Sequence, residues 1–289
     1  MGRAVIARSP KGAPMTVINF PYIDAEIDQL DRGGAPPEHL RHLHWGLFDR
    51  PDDPDDSTQR YVQAAAALTE HILAAARVGD GGRVLDVGCG FGGTLDHLRA
   101  RSPHCRLVGL NIDERQLRWA RRLLAPAPPL PFVAGDGCRL PVAGASVDHV
   151  LAVECVFHFP SRKAFFREAA RVVRPGGTLA LSDFLVATGA LGTVGAEVAA
   201  RGVGDWFGRS ATPLTPAGYE RLGRAAGFEL LCDDDVTART LPTYAALRRL
   251  YRDGGSPAGI ATIDAVEALA RGGGWQYHVL AFRRRAGRA

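Results

Sequence analysis

Three side chains near the middle of the chain could transfer a proton or bind a positively charged group: Glu154, His158 and Asp183. Glu154 and Asp183 each lie at the end of an apolar run, at 146–154 and 178–184, that predicts a buried strand. His158 lies four residues after Glu154. Because its ordinary pKa lies nearest neutrality, His158 is the best candidate for a general base.

Each of these side chains has a second interpretation. His158 could orient Phe157 and Phe159 or cap a turn. Asp183 could be a hydrogen-bond acceptor at the end of its strand, and Glu154 could bind a cationic group rather than take a proton.

A glycine-rich loop precedes these residues in the segment VLDVGCGFGG (84–93). Such a loop lets a ligand approach the backbone at the carboxyl edge of a sheet, and both dinucleotides and S-adenosylmethionine use this geometry. Asp86 would repel a pyrophosphate but could face a cation or accept hydrogen bonds from loop amides. Asp136, in GDGC (135–138), could accept a hydrogen bond from an adenine amino group. These carboxylates favour S-adenosylmethionine, whose sulfur carries a positive charge, over a dinucleotide.

The elements that must position these residues alternate regularly. Strands are predicted at 83–88, 105–111, 131–136, 146–154 and 178–184, with helices at 94–101, 113–124 and 161–173 between them. This alternation predicts a parallel sheet with helices on both faces. Further patterns predict helices at 58–77 and 215–227, two helices within 242–271, and strands at 228–236 and 275–283.

The remaining segments interrupt that rhythm. Residues 1–57 are rich in Pro, Gly and Asp and are expected to form a tail and cap with one or two short helices. Residues 185–213 are expected to be an inserted lid, and the helices within 242–271 a second cap. The expected organisation is thus one core over 58–289 with variable caps.

The chain resembles a class I S-adenosylmethionine-dependent methyltransferase. The resemblance rests on VLDVGCGFGG (84–93), LVGLNID (107–113), FVAGDGCRLPVAGASVDHVLAVECVFHFP (132–160) and EAARVVRPGGTLALSDF (168–184). It is strongest to the small-molecule branch that methylates quinones, sterols, tocopherols and glycosylated natural products, many members of which have a segment similar to HLHWGLFD (42–49). It implies an α/β, Rossmann-like, doubly wound, seven-stranded and mostly parallel sheet with a helical lid.

The resemblance also implies a set of cofactor-binding residues. The backbone of Gly88, Cys89 and Gly90 would contact the methionine part, and Trp45 would close over the cofactor. Ile112 would pack on the adenine, and Gln116 would reach the ribose or the loop. The adenine edge would be framed by Asp136, Gly137 and Cys138. Asn111 stands where the family usually has an acidic residue for the ribose hydroxyls, so that contact is expected to be weaker or shifted.

The expected reaction is an in-line methyl transfer to oxygen or carbon of a small, fairly apolar natural-product acceptor, without a metal. In carbon methylation Glu154 could stabilise the cation that forms. Aromatic residues are candidates for the acceptor pocket, namely Phe157, Trp206, Phe207, Tyr219 and Tyr244. A cofactor-dependent cyclase, a dinucleotide oxidoreductase and a non-catalytic cofactor binder are the alternatives.

Composition excludes several other classes. The chain has 289 residues and a net charge of only +4, which argues against a nucleic-acid partner. Five cysteines without a C-x-x-C pair fit reduced thiols in a cytoplasm. No apolar run is long enough to cross a membrane. His39, His42 and His44 lack carboxylate or thiolate partners in their segment, so no metal is expected there. A homodimer is compatible with the sequence.

Overall fold

The computed structural model describes residues 20–33, 38–125, 128–190, 203–208 and 213–286. The helices are α1 (Pro21–Asp31), α2 (Thr58–Ala75), α3 (Gly93–Arg101), α4 (Glu114–Leu123), α5 (Arg162–Val172), α6 (Val203–Phe207), α7 (Pro216–Ala225), α8 (Thr237–Thr240), α9 (Pro242–Asp253) and α10 (Pro257–Arg271). The strands are β1 (Arg83–Val87), β2 (Arg106–Asn111), β3 (Phe132–Ala134), β4 (Val147–Val153), β5 (Val173–Val186), β6 (Phe228–Asp235) and β7 (Trp275–Arg284). Single 3₁₀ turns lie at Glu38–Arg41 and Val156–His158.

The seven strands form one sheet in the order β3-β2-β1-β4-β5-β7-β6. The first five strands pair in parallel, whereas β7 runs antiparallel to both β5 and β6. The order reverses between β1 and β4, so the carboxyl ends of these strands open a crevice of the kind in which α/β folds bind ligands. The expected seven-stranded, mostly parallel α/β sheet is confirmed.

Apolar side chains cover both faces of the sheet, which is why helices pack on both sides. Consecutive residues of β1 point to opposite faces: Val84 belongs to the cluster with Leu68 of α2, and Leu85 to the cluster with Phe165 of α5. The doubly wound architecture follows from this alternation.

Short polar side chains begin several helices where the sequence indicates. Ser57 accepts a hydrogen bond from the backbone of Arg60 at the start of α2, and Asp113 and Ser161 cap α4 and α5 in the same way. Each such cap contributes about 1 kcal/mol. The helices predicted over 58–77, 113–124 and 161–173 are therefore confirmed, with slightly shorter bounds.

Strand β5 is longer than the sequence pattern predicts, because β7 pairs along it as far as Val186 opposite Trp275. Asp183 therefore lies inside the strand and not at its end. Of the expected lid at 185–213, residues 185 and 186 belong to β5 and residues 203–207 form α6. Most of that expected insertion lies outside the described residues.

Helix α1 covers the edge of the crevice. Its apolar side chains Ile23, Ile27 and Leu30 pack with Leu40 and with Phe91 of the glycine loop. A segment before the predicted core thus contributes directly to the carboxyl edge of the sheet. Among the described helices, none combines the length and the apolar character that crossing a membrane requires.

Candidate active site

A cavity lies at the reversal point between β1 and β4. It is lined by the glycine loop, by the ends of the neighbouring strands and by α1. The polar side chains and glycines around it include Tyr22, Asp86, Gly88, Gly90, Asn111, Gln116, Asp136, Gly137, Glu154 and His158. Segments that are distant in sequence thus meet around one space, which we call the inner cavity.

The glycine loop is tight enough to expose its backbone to this space. Gly88 has φ 76°, and a Cβ there would lie 2.7 Å from Sγ of Cys155. A Cβ on Gly93 would lie 1.6 Å from the carbonyl oxygen of Arg41. Both positions therefore require glycine. The amides of Gly88 and Cys89 donate to the carbonyl of Leu110, at 2.7 and 3.0 Å, which fixes the loop to β2.

Asp86 places a carboxylate beneath the loop. Its side chain is 1% exposed, and Oδ2 has no hydrogen-bond partner among the described residues. Burial raises the pKa of Asp86 to about 7. A buried acidic oxygen without a donor is costly unless a ligand supplies one, so this position fits the cationic part of S-adenosylmethionine.

Asn111 and Gln116 form a pair of amides at the end of β2. Asn111 Nδ2 donates to Gln116 Oε1 at 2.8 Å, and Asn111 Oδ1 accepts from the amide of Ile112 at 2.8 Å. The acceptor atom of Asn111 is thus already engaged. Beyond them, Asp136 Oδ1 accepts from the amide of Cys138 at 2.8 Å and shapes the turn that presents Gly137 to the cavity.

Glu154 adopts φ 48°, a left-handed conformation that is uncommon for a residue with a side chain and is concentrated at functional sites. Its Oε2 accepts from the amide of Trp45 at 2.9 Å and from the hydroxyl of Tyr277 at 2.7 Å. The Tyr277 hydroxyl also lies 2.9 Å from Oγ of Ser182. Loss of hydration outweighs these donors and raises the pKa of Glu154 to about 8.

His158 lies at the end of a 3₁₀ turn and is surrounded by rings. Its Nε2 is 3.2 Å from the hydroxyl of Tyr22, and its ring centre is 4.3 Å from that of Phe20 and 4.1 Å from that of Phe157. Burial keeps the pKa of Tyr22 well above its ordinary value, so its phenol stays protonated. The imidazole and the phenol form one unit on the wall of the inner cavity.

A second, larger cavity of about 950 Å³ adjoins the inner one. Both are lined by Tyr22, Leu43, His44 and Glu154, so they meet at the Tyr22 phenol and the Glu154 carboxylate, with His158 on the side of the inner cavity. Aromatic side chains form much of the wall of this outer cavity, namely Trp45, Tyr61, Phe157, Trp206, Phe207 and Tyr251.

The structure brings most of the predicted site residues together. The inner cavity is lined by Asp86, Gly88, Cys89, Gly90, Asn111, Ile112, Gln116, Asp136, Gly137, Glu154 and His158. Trp45, expected to close over the cofactor, lies instead on the outer cavity, with its ring packed edge-on against Phe184 and Tyr244. Cys138 lies behind the turn, where its thiol is 3.4 Å from the carbonyl of Ser161.

Asp183 is placed away from the cavity, contrary to expectation. It is fully buried on the opposite face of β5, where its carboxylate binds Arg162 at 3.1 Å and the hydroxyl of Tyr219. The physical reason is that side chains alternate between the two faces of a strand: Ser182 points toward Glu154, so its neighbour Asp183 points the other way.

The aromatic residues predicted for the acceptor pocket divide into two groups. Tyr219 and Tyr244 are buried in packing, whereas Phe157, Trp206 and Phe207 line the outer cavity.

Sequence reasoning missed two residues of the site, Tyr22 and Tyr277. The spacing of Ile23, Ile27 and Leu30 could have predicted α1, and with it the direction of Tyr22. Nothing local distinguishes Tyr277 from the other aromatic residues of its strand, because its role comes from the pairing of β7 with β5.

Comparisons with known proteins agree with this geometry. The family described as "Methyltransferase domain" matches residues 85–181. The methyltransferase GfsG of Streptomyces halstedii is 34% identical over 209 residues, covering 71% of this chain and 72% of the relative. The 27-O-demethylrifamycin SV methyltransferase of Amycolatopsis mediterranei is 31% identical over 224 residues, covering 76% of this chain and 77% of the relative.

A solved structure shows the same fold. The geranyl diphosphate C-methyltransferase of Streptomyces coelicolor, in complex with Mg²⁺, geranyl diphosphate and S-adenosyl-L-homocysteine, superimposes with a TM-score of 0.69 at 18% identity. The match covers 94% of this chain and 100% of that one. The glycine loop and the buried carboxylate of Asp86 agree with the similarity to GfsG over most of both chains. The chain therefore belongs to the class I S-adenosylmethionine-dependent methyltransferases and is an enzyme of their small-molecule branch.

Proposed function

We propose that this methyltransferase acts on oxygen or carbon of a small, fairly apolar natural-product acceptor, with His158 and Glu154 assisting. The observation that carries the proposal is the junction of the two cavities at Tyr22 and Glu154. A cofactor in the inner cavity and an acceptor in the aromatic outer cavity would meet beside these side chains. The names of GfsG and of the rifamycin methyltransferase support an acceptor of this class.

The inner cavity offers a place for each part of S-adenosylmethionine. Asp86 would face its cationic part, Asn111 and Gln116 its ribose, and Asp136 with Gly137 its adenine. Once bound, this cofactor supplies a methyl group on a positively charged sulfur that leaves as a neutral thioether.

The side chains of the chain itself supply proton transfer and charge. His158 takes the proton of an acceptor hydroxyl, and the Tyr22 phenol at its Nε2 holds the ring against the cavity wall. The cationic cofactor favours the ionised form of Glu154. Held through Oε2 by Trp45 and Tyr277, this carboxylate would then place negative charge where a cation develops during carbon methylation. Alignment of acceptor and donor by the cavity walls contributes several kcal/mol more.

Mass spectrometry of reaction mixtures tests the proposal. The purified enzyme, S-adenosylmethionine and a panel of phenolic, glycosylated and prenyl acceptors, with 27-O-demethylrifamycin SV included, should give a product heavier by one CH₂ unit. A product of unchanged mass but altered structure would indicate the cyclase alternative. No methylated product from the whole panel would count against the proposed acceptor class.

The role of His158 is tested by His158→Ala, for which we expect kcat to fall at least about tenfold at every pH, because a positioned base contributes roughly 10²–10⁴-fold. His104→Ala serves as the control, since His104 is exposed and pairs with Asp80. A loss of less than about tenfold across the pH range would remove His158 as the general base.

A further inference from the structure

Helix α1 forms one wall of the outer cavity, and its residues are spaced at regular intervals along that wall. Tyr22, Glu26, Gln29 and Arg32 line the cavity and are spaced three or four residues apart, so they lie on one face of the helix. With a rise of 1.5 Å per residue, Glu26 lies roughly 6 Å along the helix axis from Tyr22. A group bound at Glu26 would therefore lie about one helical turn from Tyr22, which lines the junction of the two cavities.

Glu26 has a carboxylate oxygen that receives no hydrogen bond from the described residues. Its Oε2 is buried and makes no hydrogen bond with any described residue, and the same holds for Nδ1 of His39. His39 Nε2 lies 3.8 Å from Glu26 Oε2, a distance at which a protonated imidazole forms an ion pair but not a hydrogen bond. Both side chains are only 12–15% exposed, so water does little to compensate them.

The charged groups around the outer cavity are mostly acidic. Among its described lining residues, Glu26, Glu38, Glu154 and Asp253 carry carboxyl groups, whereas Arg32 carries the one guanidinium. Such a wall disfavours a phosphate or diphosphate on the acceptor and favours a cation.

We propose that the outer cavity selects an acceptor that carries a protonated amino group, and that Glu26 binds this group. The inference rests on the proposed function, since it assigns the outer cavity to the acceptor. Glu26 acts here as a specificity residue: its carboxylate, whose side chain lines the cavity, would bind the ammonium while the aromatic walls cover the apolar body of the molecule. The volume of about 950 Å³ is large enough for several fused rings with an attached amino sugar.

A pair of fluorescent probes tests this inference without knowledge of the natural acceptor. Daunorubicin has an amino sugar on a planar polyketide, and N-acetyldaunorubicin has the same shape without the positive charge. Fluorescence anisotropy titrations in saturating S-adenosylhomocysteine should show daunorubicin binding about tenfold more tightly to the wild type, because charge-assisted hydrogen bonds are the stronger kind. In Glu26→Gln the two probes should bind within about threefold of each other.

Glu220→Gln is the matched control, because Glu220 is an exposed carboxylate of α7 paired with Arg224, and the charge change is the same. This variant should keep the wild-type preference. Equal binding of the two probes to the wild type, no binding of either, or a preference that survives in Glu26→Gln would each overturn the inference.

Calorimetry with S-adenosylhomocysteine separates this inference from the proposed function. Glu26 lines only the outer cavity, so Glu26→Gln should bind S-adenosylhomocysteine as the wild type does. Failure of the wild type to bind S-adenosylhomocysteine would contradict the proposed function. Normal binding of S-adenosylhomocysteine without a preference for the amine probe would contradict only the inference about Glu26 and would leave the proposed function standing.

Discussion

At the scale of single residues, the amide of Asn111 determines how the inner cavity can hold a ribose. Its oxygen already accepts from the backbone of Ile112, and one of its two N–H groups donates to Gln116. What the pair can still offer a ligand is therefore mainly N–H donors. A carboxylate at this position would add an oxygen that accepts from ribose hydroxyls.

We expect Asn111→Asp to bind S-adenosylmethionine about fivefold more tightly, because hydrogen bonds to a charged acceptor contribute about 1 kcal/mol more than neutral ones. The amide of Gln116 can rotate and donate to the new carboxylate. Calorimetric titration measures the change, with Asn111→Ala as a control that should bind more weakly than the wild type. Weaker binding by Asn111→Asp would show that the site needs the amide.

At the scale of elements, a buried ion pair joins three of them. Arg162 at the start of α5 contacts Asp183 of β5 at 3.1 Å and the hydroxyl of Tyr219 of α7 at 2.8 Å. The arginine and aspartate side chains are 7% and 0% exposed. Removal of one partner leaves a charge buried without compensation, so this cluster stabilises the packing of α5 and α7 on the sheet.

Asp183→Ala should therefore lower the free energy of unfolding by about 3–5 kcal/mol, as measured by urea denaturation. The double variant Arg162→Met/Asp183→Leu should recover much of that loss, because it removes both charges. Folded Asp183→Ala should still bind S-adenosylhomocysteine. A loss of activity with stability unchanged would instead return Asp183 to the catalytic residues.

At the scale of the whole molecule, four buried titratable groups link stability to pH. Burial lowers the pKa of His42 to about 3 and that of His44 to about 4. The stability that they contribute is present above the ordinary histidine pKa of about 6.5 and is lost as the pH falls below it. Asp86 and Glu154 have raised pKa values of about 7 and about 8. The stability that they contribute is fully present below the ordinary carboxyl pKa of about 4 and is lost as the pH rises from there through the raised values.

Below pH 6.5 the gain from the two carboxyl groups roughly offsets the loss from the two histidines, so the protein without ligand should lose stability mainly as the pH rises above 6.5. Between pH 6.5 and pH 8 the loss from Asp86 and Glu154 exceeds the gain from His42 and His44, which finish losing their protons in the unfolded chain, and we expect a net loss of about 1–2 kcal/mol. Saturating S-adenosylmethionine should reduce this loss, because a cation favours the ionised carboxylates and lowers their pKa values.

Thermal unfolding at pH 6.5 and pH 8, with and without cofactor, measures the effect. Glu154→Gln should show a smaller decrease in Tm between the two pH values than the wild type, since one of the two groups no longer titrates. A Tm that rises from pH 6.5 to pH 8 in the protein without ligand would contradict the linkage.

Much of this site could be predicted because its residues follow local rules. The loop after β1 follows a buried strand and contains glycines where the structure has φ values that favour glycine, at Gly88, Gly90 and Gly92. Asn111 ends a strand, and Asp136 and Glu154 follow strands. The sequence predicts these strands from their runs of apolar residues. Parallel strands bring their carboxyl ends to one edge, so these side chains had to converge.

By itself, then, the sequence determined the sheet, the glycine loop and the edge at which cofactor-binding groups gather, since these depend on patterns within a few residues. The tertiary structure decided the direction of Asp183, the contact of Tyr277 with Glu154 and the position of Tyr22 at His158. Each of these depends on which strand or helix packs against which. In a strand a shift of one residue turns a side chain to the opposite face. The sequence around a site also does not show which helix from a distant part of the chain will pack over it.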